Sequence, residues 1–194
     1  MKKIQDHYFK EARKQGYVAR SAFKLEEMDR KFHLLGRGQH VIDLGCAPGS
    51  WLQYAAKKVL PEGSLTGVDL KQVKIQFPKG VRIFQSDISM LEESILASSR
   101  FDLVLSDMAP DTTGIPSVDS QRSYDLNSQA LSFAQSHLKP GGTLVLKAFQ
   151  GEPLNRLKSE IRACYESLKL FKPKSSRSVS VESFVLGFGL LPQS

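Results

Sequence analysis

Val41-Ile42-Asp43-Leu44-Gly45-Cys46-Ala47-Pro48-Gly49-Ser50-Trp51 is the stretch that decides the architecture. Val41 to Leu44 has the length and apolar content of a buried strand, and Gly45 to Gly49 turns the chain where a Cβ would obstruct it. Behind the turn, Leu52, Ala55, Ala56 and Val59 recur at i, i+3, i+4 and i+7, the apolar stripe of a helix. A strand, a glycine turn and a helix form the opening of a βαβ unit. Sheets built from such units bind ligands at the carboxyl ends of their strands.

The alternation continues outward. Leu65 to Leu70, Val81 to Phe84, Phe101 to Ser106 and Thr143 to Phe149 read as further strands, the last introduced by Pro140-Gly141-Gly142. Leu154, Leu157, Ile161, Cys164 and Leu168 form one helical stripe with Pro153 in its first turn, where proline is tolerated. Leu168 to Lys172 and Ser183 to Leu190 are the final strands. Strands alternating with helices predict an α/β fold with a mostly parallel, doubly wound sheet. Val18, Ala22, Leu25, Met28 and Phe32 make a separate helical stripe. The expected organisation is therefore one domain, 1–194, with a helical segment at 1–39 ahead of a Rossmann-like core at 40–194.

Composition excludes several classes. Apolar residues are 41% and charged residues 24% of 194, as in an ordinary globular protein. The most apolar run, Phe184 to Leu191, falls far short of the ~20 residues of a membrane span. Met1 to Gly16 is polar and mixed in charge, unlike a secretory leader. Two cysteines, Cys46 and Cys164, read as reduced thiols, so a cytoplasmic protein is expected. The net charge of +7 is unevenly spread: residues 1–40 carry +5, 41–138 carry −3 and 139–194 carry +5. Such a partition fits a small-molecule module between flanks that meet a polyanion, or an ordinary solvated basic surface.

The turn at Gly45 departs from a dinucleotide fingerprint, because Ala47 and Pro48 stand where a glycine and its neighbour would approach a pyrophosphate. That tells against a nicotinamide dehydrogenase. Asp43, Asp69, Asp87 and Asp107 fall at the ends of four successive strands. Asp69 is placed to hold both ribose hydroxyls of an adenosine, and Asp87 to accept from an adenine amino group. Taken singly, each is also an ordinary capping or turn aspartate. Lys147 lies inside the apolar strand Leu144 to Phe149, where a lysine is costly unless it points into a polar cleft. Whether burial or a neighbouring carboxylate prevails over its proton is left open at this level.

DLGCAPGSW, GVDL, SDI, SDMAP, LVLKAFQG and SSRSVSVES, in this order and after GYVARSAFKL, resemble the motif series of the FtsJ (RrmJ) family. These are ribosomal RNA large-subunit 2′-O-methyltransferases that use S-adenosylmethionine. The resemblance covers nearly the whole chain, and SDMAP with LKAFQG is its most specific part. It implies a Rossmann-like methyltransferase fold with an antiparallel last strand, and donor contacts from Gly49, Trp51, Asp69, Asp87 and Asp107. It also implies a catalytic Lys-Asp-Lys-Glu tetrad at Lys24, Asp107, Lys147 and Glu182, with Lys147 as base, Asp107 orienting it and Lys24 a cation near the reacting oxygen. No metal is implied. Asp111, Thr112-Thr113 and Ala148 depart from common family residues in loop and packing detail.

Outside the resemblance, Lys24 sits about 40° from Met28 on the helical wheel, which ordinarily marks a snorkelling surface lysine. Lys147 and Glu182 likewise have bland alternatives as an edge-strand lysine and a solvent-facing residue. Lys169 to Arg177 and the N-terminal Lys2, Lys3, Lys10, Arg13, Lys14 and Arg20 suit phosphate contacts. Met108 to Tyr124 reads as a long loop that covers a target nucleotide, with Tyr124 a stacking candidate. The expected partner is large-subunit ribosomal RNA, within an assembled or assembling subunit, bound by a monomer. The rival functions are 2′-O-methylation of transfer RNA or a messenger cap, and RNA binding in ribosome assembly without catalysis.

Overall fold

The computed structural model describes residues 2–91, 100–176 and 180–192, with the side chains of 2–6 left aside. Among these residues seven strands form one sheet in the order β3-β2-β1-β4-β5-β7-β6. They are β1 (His40–Leu44), β2 (Ser64–Asp69), β3 (Val81–Gln85), β4 (Phe101–Ser106), β5 (Leu138–Phe149), β6 (Tyr165–Phe171) and β7 (Glu182–Leu190). The first five pair in parallel, and β7 runs antiparallel between β5 and β6. The helices are α1 (Lys2–Lys14), α2 (Ala22–Phe32), α3 (Ser50–Val59), α4 (Pro116–His137) and α5 (Pro153–Cys164). Among the described residues no helix is long and apolar enough to cross a membrane.

The two-residue period of the strands separates two cores. Val41, Leu103, Leu105, Val145, Phe184 and Leu186 face one side and pack under α2 and α3 with Leu25, Met28, Trp51 and Leu52. Ile42, Val104, Leu144, Leu146 and Val185 face the other, under α4 and α5 with Ala130, Phe133, Leu157 and Ile161. This parity also aims the polar residues. Asp43, Asp69, Lys147 and Glu182 share the parity of Val41, Leu65, Val145 and Phe184, so all four point toward the α2–α3 side.

Several expected boundaries move. Helix α2 begins at Ala22, and Val18 lies in the preceding turn, 41% exposed, with its N–H donated to Gln53 Oε1 at 2.9 Å. Helix α5 ends at Cys164, so Leu168 belongs to β6 and the strand starts three residues earlier than its apolar pattern indicates. Strand β5 already begins at Leu138, with a shifted register across Pro140-Gly141-Gly142. The largest correction is the loop Met108 to Tyr124, which ends at Ile115 where α4 starts. Ser120, Ser123 and Asn127 line the buried face of α4, so no apolar stripe marks this end of the helix in the sequence. The polar face has a use: Asn127 Nδ2 donates to the Lys147 carbonyl at 3.0 Å, and Ser123 Oγ accepts from Phe149 N at 3.1 Å. These bonds fasten β5 beside its lysine.

Candidate active site

A cleft of about 340 Å³ opens at the carboxyl ends of β1, β2 and β4, lined by Gly45, Ala47, Asp69, Asp87, Asp107 and Met108 among others. Gly45 has φ 76°, and a Cβ there would stand 2.5 Å from Met108 Cγ, so glycine lets the turn pass under the chain leaving β4. Asp69 closes the turn against β2: its Oδ2 accepts from Ala47 N at 2.8 Å and its Oδ1 from Lys71 N at 2.7 Å. Asp87 caps the short turn Ile88–Met90, accepting from Ser89 Oγ at 2.7 Å and Ser89 N at 2.8 Å. These hydrogen bonds hold its carboxyl below the ordinary carboxylate range.

Asp43 is not at a strand end. It lies one residue inside β1, 1% exposed, and neither carboxylate oxygen has a hydrogen-bond partner among the described residues. Burial, and then the charges of Asp107 and Asp69, push its carboxyl well above the usual range. Burial, followed by the charges of Asp43 and Asp69, raises the Cys46 thiol, which packs in the core. Two residues expected at the donor are outside the lining. Gly49, at φ 108°, is the N-cap of α3, where a Cβ would meet Ile75 Cδ1 at 2.9 Å. Trp51 is 2% exposed, donates Nε1–H to the Ser21 carbonyl at 2.8 Å and packs on Phe184 with ring centres 5.8 Å apart.

Beside the cleft the four tetrad positions meet as two ion pairs. Lys147 Nζ lies 3.0 Å from Asp107 Oδ1 and donates to the Asp107 carbonyl at 2.6 Å. Lys24 Nζ lies 2.6 Å from Glu182 Oε1, which also accepts from Ser176 Oγ at 2.9 Å. Lys147 belongs to an interior strand, so the edge-strand reading fails. Lys24 is 8% exposed and does not snorkel: its ammonium lies 5.8 Å from the Phe184 ring centre and ends on Glu182. Burial alone would raise the Glu182 carboxyl, but Lys24, hydrogen bonds from Lys24 and Ser176, and the charge of Lys147 outweigh it and hold it low. Register explains the meeting: Lys147 pairs with Phe184 and Phe149 with Glu182 across β5 and β7.

In the loop after β4, Thr113 N at 2.7 Å and Gly114 N at 3.1 Å donate to Asp119, which fastens that loop to α4. Tyr124 is no free stacking platform. Its hydroxyl donates to Glu160 at 2.7 Å and Arg156 covers its ring at 4.9 Å. The side chains of Lys2 and Lys3, and Arg177, lie outside the described residues. Glu27, which no motif singles out in the sequence, accepts from Lys174 N at 2.7 Å and Ser175 N at 2.9 Å. Its spacing of three from Lys24 was the available signal, since that spacing shares a helix face.

The FtsJ-like methyltransferase model matches residues 17–190. The chain belongs to this family. It is 42% identical to the ribosomal RNA large subunit methyltransferase E of Oleidesulfovibrio alaskensis, over 97% of this chain and 93% of that one. It is 44% identical to the protein of the same name from Desulfatibacillum aliphaticivorans, over 95% and 90%. A crystal structure of a Plasmodium falciparum protein described as a ribosomal RNA methyltransferase superposes with TM-score 0.81 at 26% identity, over 91% of this chain and all of that one. The motif reading and the fold expectation of a Rossmann-like, mostly parallel sheet with an antiparallel last strand agree with these matches.

Proposed function

We propose that this methyltransferase moves a methyl group from S-adenosylmethionine to the 2′-hydroxyl of a uridine in large-subunit (23S) ribosomal RNA. The observation that carries the reading is the convergence of two lysine–carboxylate pairs beside an acidic cleft. The cleft suits the donor: Asp69, Asp87 and Asp107 surround it, Asp43 lies beneath, and a sulfonium carries a positive charge. When bound, the donor supplies an electrophilic methyl carbon on a good leaving group. Asp69 and Asp87 would hold its adenosine, and Gly49 and Trp51 would act by fixing the turn and the floor under Lys24.

The protein's own work is to align an oxygen and take its proton. The hydroxyl proton would pass to Lys147 Nζ as the oxygen takes the methyl group and the carbon–sulfur electrons return to sulfur. Asp107 fixes that nitrogen from two atoms. Lys24, held by Glu182, places a positive charge where the oxygen becomes more anionic. The reading extends to a monomer acting in the cytoplasm on an assembled or assembling large subunit, without a metal.

Incubation with radiolabelled S-adenosylmethionine and large subunits, naked ribosomal RNA or transfer RNA, followed by nucleoside mapping, tests the proposal. The expected product is 2′-O-methyluridine in large-subunit RNA. Label on a base, or on transfer RNA alone, overturns the acceptor assignment. Absence of transfer with intact RNA binding would leave a non-catalytic assembly factor.

A further inference from the structure

Residues 172–176, the described start of the connection from β6 to β7, have their chemistry sorted by direction. Pro173 and Ser175 are buried, while Lys172 and Lys174 are exposed. Ser176 N donates to the Pro173 carbonyl at 3.1 Å, which closes the turn. The N–H groups of Lys174 and Ser175 both donate to the half-buried carboxylate of Glu27 on α2. A carboxylate receiving two backbone amides makes charge-assisted bonds. Glu27 therefore holds the backbone at Lys174 and Ser175 and with it the direction of Lys174, whereas the Lys172 ammonium is held separately by the Ser180 carbonyl at 2.8 Å.

Lys24 and Glu27 stand one turn apart on one face of α2. Lys24 grips Glu182, and Ser176, at the end of the same turn, donates to that carboxylate. One helix face thus holds both a basic turn and one of the two ion pairs at the cleft. We infer that Glu27 is a positioning residue that presents Lys174 to the phosphates of an RNA acceptor, in fixed relation to the Lys24–Glu182 pair. The inference rests on the acceptor reading above. Glu27 touches no reacting atom in this scheme, and its effect passes through the turn.

The test compares wild type with Glu27→Gln, which loses the charge and sets an amide N–H against a backbone N–H. The Michaelis constant for ribosomal RNA should rise about tenfold, the scale of a lost hydrogen bond to a charged group. The double-logarithmic salt slope of RNA binding should flatten by about one unit for each phosphate that a lysine no longer neutralises. S-adenosylmethionine affinity and the melting temperature should stay near wild type, and Glu27→Asp, which keeps the charge on a shorter arm, should fall between. An unchanged Michaelis constant and slope overturn the inference. So does a loss of donor affinity and melting temperature in proportion, which would make Glu27 a general structural tie. If wild type methylates no RNA, the acceptor reading falls and takes the inference with it.

Discussion

The donor cleft and the tetrad lie side by side yet treat charge in opposite ways. Among the described residues Asp69 and Asp87 have no ion-pair partner, and Asp43 has no partner at all. The tetrad carboxylates each meet a lysine. Carboxylates left without a cation make a region that waits for a positive ligand, whereas paired ones make a fixed frame. The two regions also differ in construction. The donor carboxylates sit on or just beyond β1 to β4, and the tetrad adds α2 and β7 from the two ends of the chain.

The largest expected effect falls on the frame. Lys147→Ala should abolish methyl transfer while leaving donor binding largely intact, since proton removal and binding are separate functions. Lys147→Arg should fail to restore turnover, because a guanidinium keeps its proton. Substantial activity in the arginine variant, measured by label transfer, would make Lys147 a positive charge rather than a base. That would erase the division between the two regions.

Next comes the cleft. Asp69→Ala should lower donor affinity by about 2–4 kcal/mol through the loss of charge-assisted hydrogen bonds. Part of that loss would come from freeing the Ala47 amide that Asp69 now holds. Calorimetry decides it, and unchanged donor affinity would sink the assignment of the cleft.

The smallest effect reads the two charge regimes directly as stability against pH. Glu182 is held below its ordinary value of 4.5, so its contribution is present above that pH and is lost as acid protonates it in the folded state. Asp43 is held above its ordinary value of 3.8, so the folded state binds the extra proton. Its effect has the opposite sign: stability falls as pH rises from 3.8 toward the folded value. Urea unfolding across acid and neutral pH should show Glu182→Gln losing its deficit below 4.5. Asp43→Asn should exceed wild type at neutral pH, with the advantage vanishing toward 3.8. Parallel curves for both variants would mean that the regions do not differ in this way.

Much of the fold was legible because burial imposes periodicity. Val41 to Leu44, Phe101 to Ser106 and Leu144 to Phe149 declare themselves as strands, and the glycine turn at Gly45 fits the close approach of Met108. Helix α4 was missed in the sequence, since its first turns bury serine and asparagine for hydrogen bonds to β5, and polar burial leaves no apolar stripe. Tyr124 was misread for the same reason: a helix surface that holds Glu160 and Arg156 nearby cannot be inferred from a loop-like composition.

Strand type, the acidic strand ends and the out-of-place lysine at 147 are local properties, set by which neighbours in sequence are apolar, and the sequence alone determined them. Only the tertiary structure decided what those charges do. Lys24 and Glu182 are joined through the register of β7 on β5 and the packing of α2 beneath it, and Glu27 reaches Lys174 and Ser175 by the same route. The Asp43 carboxyl is pushed up because the sheet closes over it and sets Asp107 and Asp69 nearby. Ionisation depends on solvent access and on charges distant in the chain, and neither exists until the layers have packed.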